Sequence, residues 1–429
     1  METYLICLAV ALIGGLLLSR ITRLFHLPAV TAYLVAGLLL GPYLLGALKI
    51  PGLGFNSLHQ VEGMSILTQM ALGFIAFAMG NEFRLSQLKT FGKKAITIGI
   101  LQAVITTALV DIILIGVHLA FPHMLSLPAA IVLGAIASAT APAATLMVVR
   151  QYKADGPLTR LLMLVVAIDD AVGLLLFSVS FGIANTLSSG NASVISMVVE
   201  PILEIVLSLG LGALMGFLLH YVEKFFHSRS KRMAVSVAFV MLTVGLSMLD
   251  FHIGTLHCKF SLLLVCMMTG TMFCNICSTS EELMDRVERW TVPLNILFFV
   301  ISGAELDLQI LANPVTLIVG VVYIIARSAG KIIGSNASCR LTKCSKTITD
   351  NLGVTLLPQA GVALGMALTA ATLSDGAVVR NVVLFAVLIY ELVGPAMTKR
   401  SLMKAGEIDP EGRTSARSHN QPKPPVSVH

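Results

Sequence analysis

Two adjacent carboxylates, Asp169 and Asp170, sit in the middle of the apolar run VVAIDDAVGLLLF. An aspartate at the centre of a membrane helix costs roughly 2.5–3.5 kcal/mol on insertion scales. The default reading of such a carboxylate is a station on an ion or proton path. Burial favours its protonated form, and a nearby cation favours its ionised form. A group balanced between the two holds either a proton or a metal cation, and competition for that one group is the minimal chemistry of exchange. Neighbouring helical residues point about 100° apart. One carboxylate therefore faces a cavity while the other meets a protein partner.

Other residues have types and spacings that suit this chemistry. Arg327 and Lys331 lie four apart in YIIARSAGKIIG, on one helix face, and are natural countercharges for Asp169. Snorkelling to the surface is the competing reading for Lys331. Pro142 and Pro358 interrupt two apolar runs, SATAPAATL and TLLPQAGVAL, with Gly361 following the second proline. A mid-helix proline deletes a backbone bond and displaces the carbonyl four residues back, here Ser138 and Val354. Membranes tolerate such breaks only against protein or a wet cavity, and paired breaks point to a transporter binding site. Thr140 and Ser138 offer oxygens beside the first break. Glu391 and Asp111 are further membrane carboxylates, with a structural role as the alternative for each.

The elements that must position these groups are membrane helices. The chain is 56% hydrophobic and 12% charged, against about 25% charged in a soluble domain. Thirteen apolar stretches approach the length needed to cross about 30 Å of hydrocarbon. They run roughly over 3–19, 28–46, 63–80, 95–118, 128–149, 160–184, 198–222, 233–250, 260–276, 291–304, 313–335, 350–373 and 378–398. The first is read as a retained span rather than a cleaved signal. Of the 29 basic residues, 24 fall after odd-numbered spans and only Lys49, Lys259 and Arg380 fall after even ones. The positive-inside rule then puts the N-terminus outside and the C-terminus in the cytoplasm. The net charge of +6 is thus a topology signal, which excludes nucleic-acid binding.

Residues 1–404 form the transmembrane unit in this reading, and the polar stretch 405–429 is a disordered cytoplasmic tail, too short for a nucleotide-binding domain. The seven cysteines are odd in number and suggest no disulfide framework, and the Cys274–Cys277 spacing is read as unpaired thiols.

Segments seven spans apart match. LVAGLLLG (34–41) pairs with LVCMMTGTM (264–272), and FIAFAMGNEFRL (74–85) with LFFVISGAELDL (297–308). SATAPAATL pairs with TLLPQAGVAL, and Asp170-Ala171-Val172-Gly173 with Glu391-Leu392-Val393-Gly394. An odd offset inverts the second copy, the pattern of an inverted-topology repeat that builds two-sided access.

From about Leu27 to Lys399 the chain resembles the monovalent cation:proton antiporter family, in its second branch of bacterial sodium/proton and potassium/proton exchangers. The marks are LPAVTAYLVAGLLLGP, FAMGNEFRL, SATAPAATL, AIDDAVG, ARSAGKIIG and LLPQAGVAL. The resemblance implies an all-α, multi-pass protein of the inner cell membrane with thirteen spans and two crossed broken helices. It implies a homodimer whose core domain moves like an elevator against a dimerisation domain. It makes Asp170 the principal cation and proton carboxylate and pairs Asp169 with the basic residue of span 11, where Arg327 fits best and Lys331 is close. A double aspartate goes in this family with electrogenic exchange. No cofactor is implied.

The function expected is exchange of Na+ (or Li+) for H+, with K+/H+ exchange as the alternative and a cation channel as a remoter one. An intramembrane aspartyl protease needs two carboxylates sharing a proton across a cleft, which adjacent residues on one helix do not supply.

Overall fold

The computed structural model describes residues 2–24, 27–50, 52–80, 83–189, 194–249, 251–253, 256–258, 260–305, 314–370, 373 and 375–408. A helix satisfies every backbone polar group within its own segment, the condition a bilayer imposes. Helices follow the apolar runs accordingly: α1 Glu2–Leu24, α2 Ala29–Leu40, α3 Leu58–Glu62, α4 Ser65–Gly80, α5 Leu85–Ala120, α6 Leu127–Ile136, α7 Pro142–Gln151, α8 Pro157–Ser189, α9 Val194–Glu223, α10 Arg229–Ser247, α11 Leu262–Ile276, α12 Ser280–Glu305, α13 Pro314–Leu341, α14 Lys346–Thr355, α15 Gly361–Ala370 and α16 Gly376–Lys404. A short antiparallel ribbon pairs β1 Phe251–Ile253 with β2 Leu256–Cys258. Residues 409–429, most of the expected tail, lie outside the described residues.

Each of the thirteen apolar stretches is helical, the fifth and twelfth being split into α6–α7 and α14–α15. Among the described residues, eight helical segments are long and apolar enough to cross a membrane, and α4, α6 and α11 are shorter apolar helices. Local signals set the boundaries. Ser126, Ser261 and Ser345 cap α6, α11 and α14 by accepting the backbone N–H three residues on. Helices α7, α8 and α13 begin on proline, whose missing N–H is harmless in a first turn.

Packing follows the repeat. Under the seven-span offset, the contact of α2 with α12 maps onto that of α11 with α4, and both pairs pack closely. Both crossings bring backbones together on small residues. A Cβ on Gly37 would lie 1.9 Å from the Val300 carbonyl, and one on Gly303 would lie 2.2 Å from that of Leu34. At the equivalent crossing, a Cβ on Gly80 would meet the Met267 carbonyl at 2.2 Å, and one on Gly270 that of Phe77 at 2.0 Å. The sequence repeat is therefore also a repeat of contacts.

One apolar cluster gathers side chains of α5, α6, α8, α13, α15 and α16 around the two breaks. Another joins α4, α9, α10, α11 and α12. The outer helices stay uncovered: only 22% of the apolar window of α1 and 28% of that of α9 is buried. Leu5, Ile13, Leu17, Val206, Leu214 and Phe217 are exposed, as lipid solvation requires.

Candidate ion-binding site

The two prolines sit at the edges of breaks rather than inside continuous helices. Pro142 is the first residue of α7, and Pro358 lies in the non-helical stretch between Thr355 and Gly361. The two breaks touch. Ala141 N–H donates to the Pro358 carbonyl at 2.8 Å, Gln359 Nε2 donates to the Ile136 carbonyl at 3.0 Å, and Thr140 Oγ1 reaches the Leu356 carbonyl at 3.4 Å.

Broken helices strand carbonyls, and α13 supplies the donors. Arg327 gives Nε to the Ala137 carbonyl (3.0 Å), Nη1 to Leu357 (2.7 Å) and Nη2 to Ala139 (2.7 Å). Its guanidinium also lies over the Tyr390 ring, 4.4 Å from the centroid. One arginine thus ties both breaks together. Lys331, one turn on, donates to the Ser138 carbonyl at 2.5 Å. Of the two carbonyls expected to be freed, Ser138 takes a side-chain donor, whereas Val354 accepts the backbone N–H of Leu357.

Lys331, not Arg327, makes the ion pair with Asp169, at 2.7 Å with neither side chain exposed. The resemblance had favoured Arg327, but all three of its bonding nitrogens go to carbonyls. Nor does Lys331 snorkel: it is fully buried, and its ammonium also meets Thr140 Oγ1 (2.9 Å) and Gln102 Oε1 (3.0 Å). Asp169 takes further hydrogen bonds from Thr140 Oγ1 (2.6 Å) and Gln102 Nε2. An ion pair taken out of water persists only when further hydrogen bonds satisfy its remaining lone pairs and protons, and this one is so supplied.

Asp170 differs. It is 4% exposed, and its buried Oδ1 has no hydrogen-bond partner among the described residues. One turn on, α8 runs against the first break: a Cβ on Gly173 would lie 3.3 Å from Ser138 Oγ and 3.9 Å from Ala139 Cα. The repeat reproduces this contact, since a Cβ on Gly394 would lie 3.0 Å from Pro358 Cγ. Asp170 and Glu391 thus stand three residues before glycines that abut opposite breaks. Glu391 is buried at the middle of α16, which extends past the apolar run to Lys404.

The remaining candidates are less central. Ser138 Oγ is engaged with the Ala135 carbonyl at 2.7 Å. Asp111 stands nine residues from Gln102 along α5, roughly 13 Å away at helical rise. Its Oδ1 lies over Gly134 of α6, buried and without a hydrogen-bond partner among the described residues. Gly361 opens α15.

Three participants escaped the sequence reading: Gln102, Gln359 and Tyr323, the last bonded to Gln359 Nε2 at 3.0 Å. Gln102 interrupts the apolar run GILQAVITT and Gln359 directly follows Pro358. A polar amide inside a membrane span is the signal that marks both.

The arrangement holds one locked carboxylate, one unlocked carboxylate and the crossing of two helix breaks within a single buried region. A sequence profile described as sodium/hydrogen exchanger, transmembrane, matches residues 8–404. The fold is similar to that of the sodium proton antiporter MjNhaP1 from Methanocaldococcus jannaschii in two solved structures. One superposes with a TM-score of 0.68 over 94% of this chain and 97% of that one; the other has a TM-score of 0.70 over 95% and 97%, both at 18% identity. A 95-residue segment is 35% identical to K(+) efflux antiporter 5 of Arabidopsis thaliana, covering 22% of this chain and 14% of the plant protein. A profile match across nearly the whole chain carries the assignment: this multi-pass membrane protein belongs to the sodium/hydrogen exchanger family and is a cation:proton antiporter, not an enzyme.

Proposed function

We propose that the antiporter exchanges Na+ (or Li+) for H+ at Asp170. The observation that carries this reading is the asymmetry of the two aspartates. Asp169 has an ammonium, a hydroxyl and an amide for partners, whereas the Oδ1 of Asp170 is buried without one among the described residues. A hard monovalent cation or a proton satisfies that oxygen, and the two exclude each other. Thr140 and Ser138, beside the crossing, lend oxygen to the site.

Movement in the elevator manner is supported by the way Arg327 and Lys331 bind both breaks to α13, so that α5–α8 and α13–α16 move as one body. The opposing scaffold is then α1, α2, α4 and α9–α12, and the uncovered apolar faces of α1 and α9 suit lipid and a second copy in a homodimer. The exchange is electrogenic if both carboxylates return protonated, two protons against one cation. Potassium is the second reading, favoured by the segment shared with a plant protein named for potassium efflux.

The test is proton flux into proteoliposomes, reported by a pH-sensitive dye, with sodium, lithium and potassium supplied in turn under clamped voltage. Sodium and lithium should drive flux and Asp170→Asn should abolish it, with an unchanged elution profile. Exchange at the normal rate in that variant would remove Asp170 from the mechanism.

A further inference from the structure

A second cluster of ligating side chains lies at the end of α9. His220 and Glu223 are three residues apart and so share a helix face. Cys277, just beyond the end of α11, meets them. A ring nitrogen of His220, a carboxylate oxygen of Glu223 and Sγ of Cys277 all lie within 4.8 Å of one another. Cys277 forms no disulfide with Cys274. Instead Cys277 Sγ donates to Glu223 Oε2 at 3.1 Å.

The cluster is built but incomplete. Glu223 is 2% exposed and Cys277 7%. Thr279 Oγ1 donates to Glu223 Oε1 at 3.2 Å, and Arg232 Nε stands 3.3 Å from that same oxygen while donating to the Phe226 carbonyl at 2.8 Å. These contacts orient the carboxylate so that Oε2 faces the thiol. The Nδ1 of His220 is buried with no hydrogen-bond partner among the described residues. His220 itself is partly exposed, which opens the cluster to solvent on the side that the basic residues 224–232 assign to the cytoplasm.

We propose that His220, Glu223 and Cys277 form a binding site for a borderline divalent transition cation, zinc foremost. One imidazole nitrogen, one carboxylate oxygen and one thiolate are the donor types zinc takes, at bond lengths of about 2.0–2.3 Å that separate tetrahedral ligand atoms by about 3.3–3.8 Å. The cation takes the place of the proton between sulfur and carboxylate: the S–H bond breaks, the proton leaves to solvent, and sulfur and oxygen bond the metal. Thr279 Oγ1 or a water fills the fourth position. Calcium and magnesium, which demand several oxygens, do not fit. Occupancy pins the end of α9 to the corner between α11 and α12.

The experiment is a titration of the full chain in detergent, stripped by chelator, with Co2+ as a spectroscopic probe. A sulfur-to-cobalt charge-transfer band should grow to saturation at one Co2+ per chain and vanish when Zn2+ is added. Cys277→Ser should lose the band. Cys274→Ser should keep it. His220→Ala removes a ring whose Nδ1 makes no hydrogen bond among the described residues, so it should elute normally yet bind Zn2+ roughly tenfold or more weakly. The proposal falls if the wild-type chain shows no band, if Cys277→Ser retains it, or if His220→Ala binds Zn2+ as tightly as wild type.

Discussion

Lys331 and Asp169 meet at 2.7 Å with neither side chain exposed, and this bond separates the roles of two neighbouring aspartates. Asp169 is held by α5, α8, α13 and the first break at once, whereas Asp170, on the same turn, keeps a buried oxygen uncommitted. The pair anchors the site and leaves the next carboxylate to the ion.

Removing one partner of a buried pair strands the other. Lys331→Met should lower stability by about 3–5 kcal/mol, read as a large fall in the unfolding midpoint in detergent. The double variant Lys331→Met with Asp169→Asn leaves no uncompensated charge and should recover a substantial part of that loss. A double variant no more stable than Lys331→Met alone would show that the pair is not the anchor.

The helix crossing at Gly37 has no room for a side chain. Gly37→Ala puts a Cβ against the Val300 carbonyl and should cost about 1–3 kcal/mol as backbones separate. Gly116 in α5 has nothing among the described residues within 4 Å of a Cβ. Gly116→Ala should therefore be neutral or gain up to about 1 kcal/mol from helix propensity. Equal effects of the two substitutions on the unfolding midpoint would contradict the packing described.

The helix that bears both aspartates is capped from the far end of the chain. Glu407 accepts the N–H groups of Leu158 and Thr159 and the Thr159 hydroxyl, each at 2.7 Å. A Cβ on Gly156 would collide with Glu407 at 2.3 Å. Ile408 is buried beside it. A carboxylate at a helix N-terminus satisfies orphan donors and favours the dipole. Truncation after Gly406 should lower stability by about 0.5–2 kcal/mol, and truncation after Ile408 should not. Indistinguishable midpoints for the two truncations would rule the cap out.

Much of this was legible in the residues. Intramembrane charge is costly, so Asp169, Asp170, Arg327 and Lys331 stood out against apolar runs, and the two prolines marked where the helices break. The repeat foretold that Gly173 and Gly394 would occupy equivalent places. What pattern alone left open was the choice between Arg327 and Lys331. They lie on one face a turn apart, and only the depth at which α13 crosses α5 decides which reaches Asp169. The part played by Glu407 was invisible for another reason: it joins residues about 250 positions apart across polar segments with no periodicity to read.

The claim at the centre is that a sodium ion and a proton contend for one carboxylate. It is tested by the apparent KM for sodium in proteoliposomes across a series of pH values, with the maximal rate measured at each. Protons favour the neutral form of the site, so sodium binding should weaken as pH falls, the KM approaching a tenfold rise per unit at the acid end. Saturating sodium should largely restore the rate. A KM that stays constant with pH, while only the maximal rate declines, would mean that the two ions bind at separate groups.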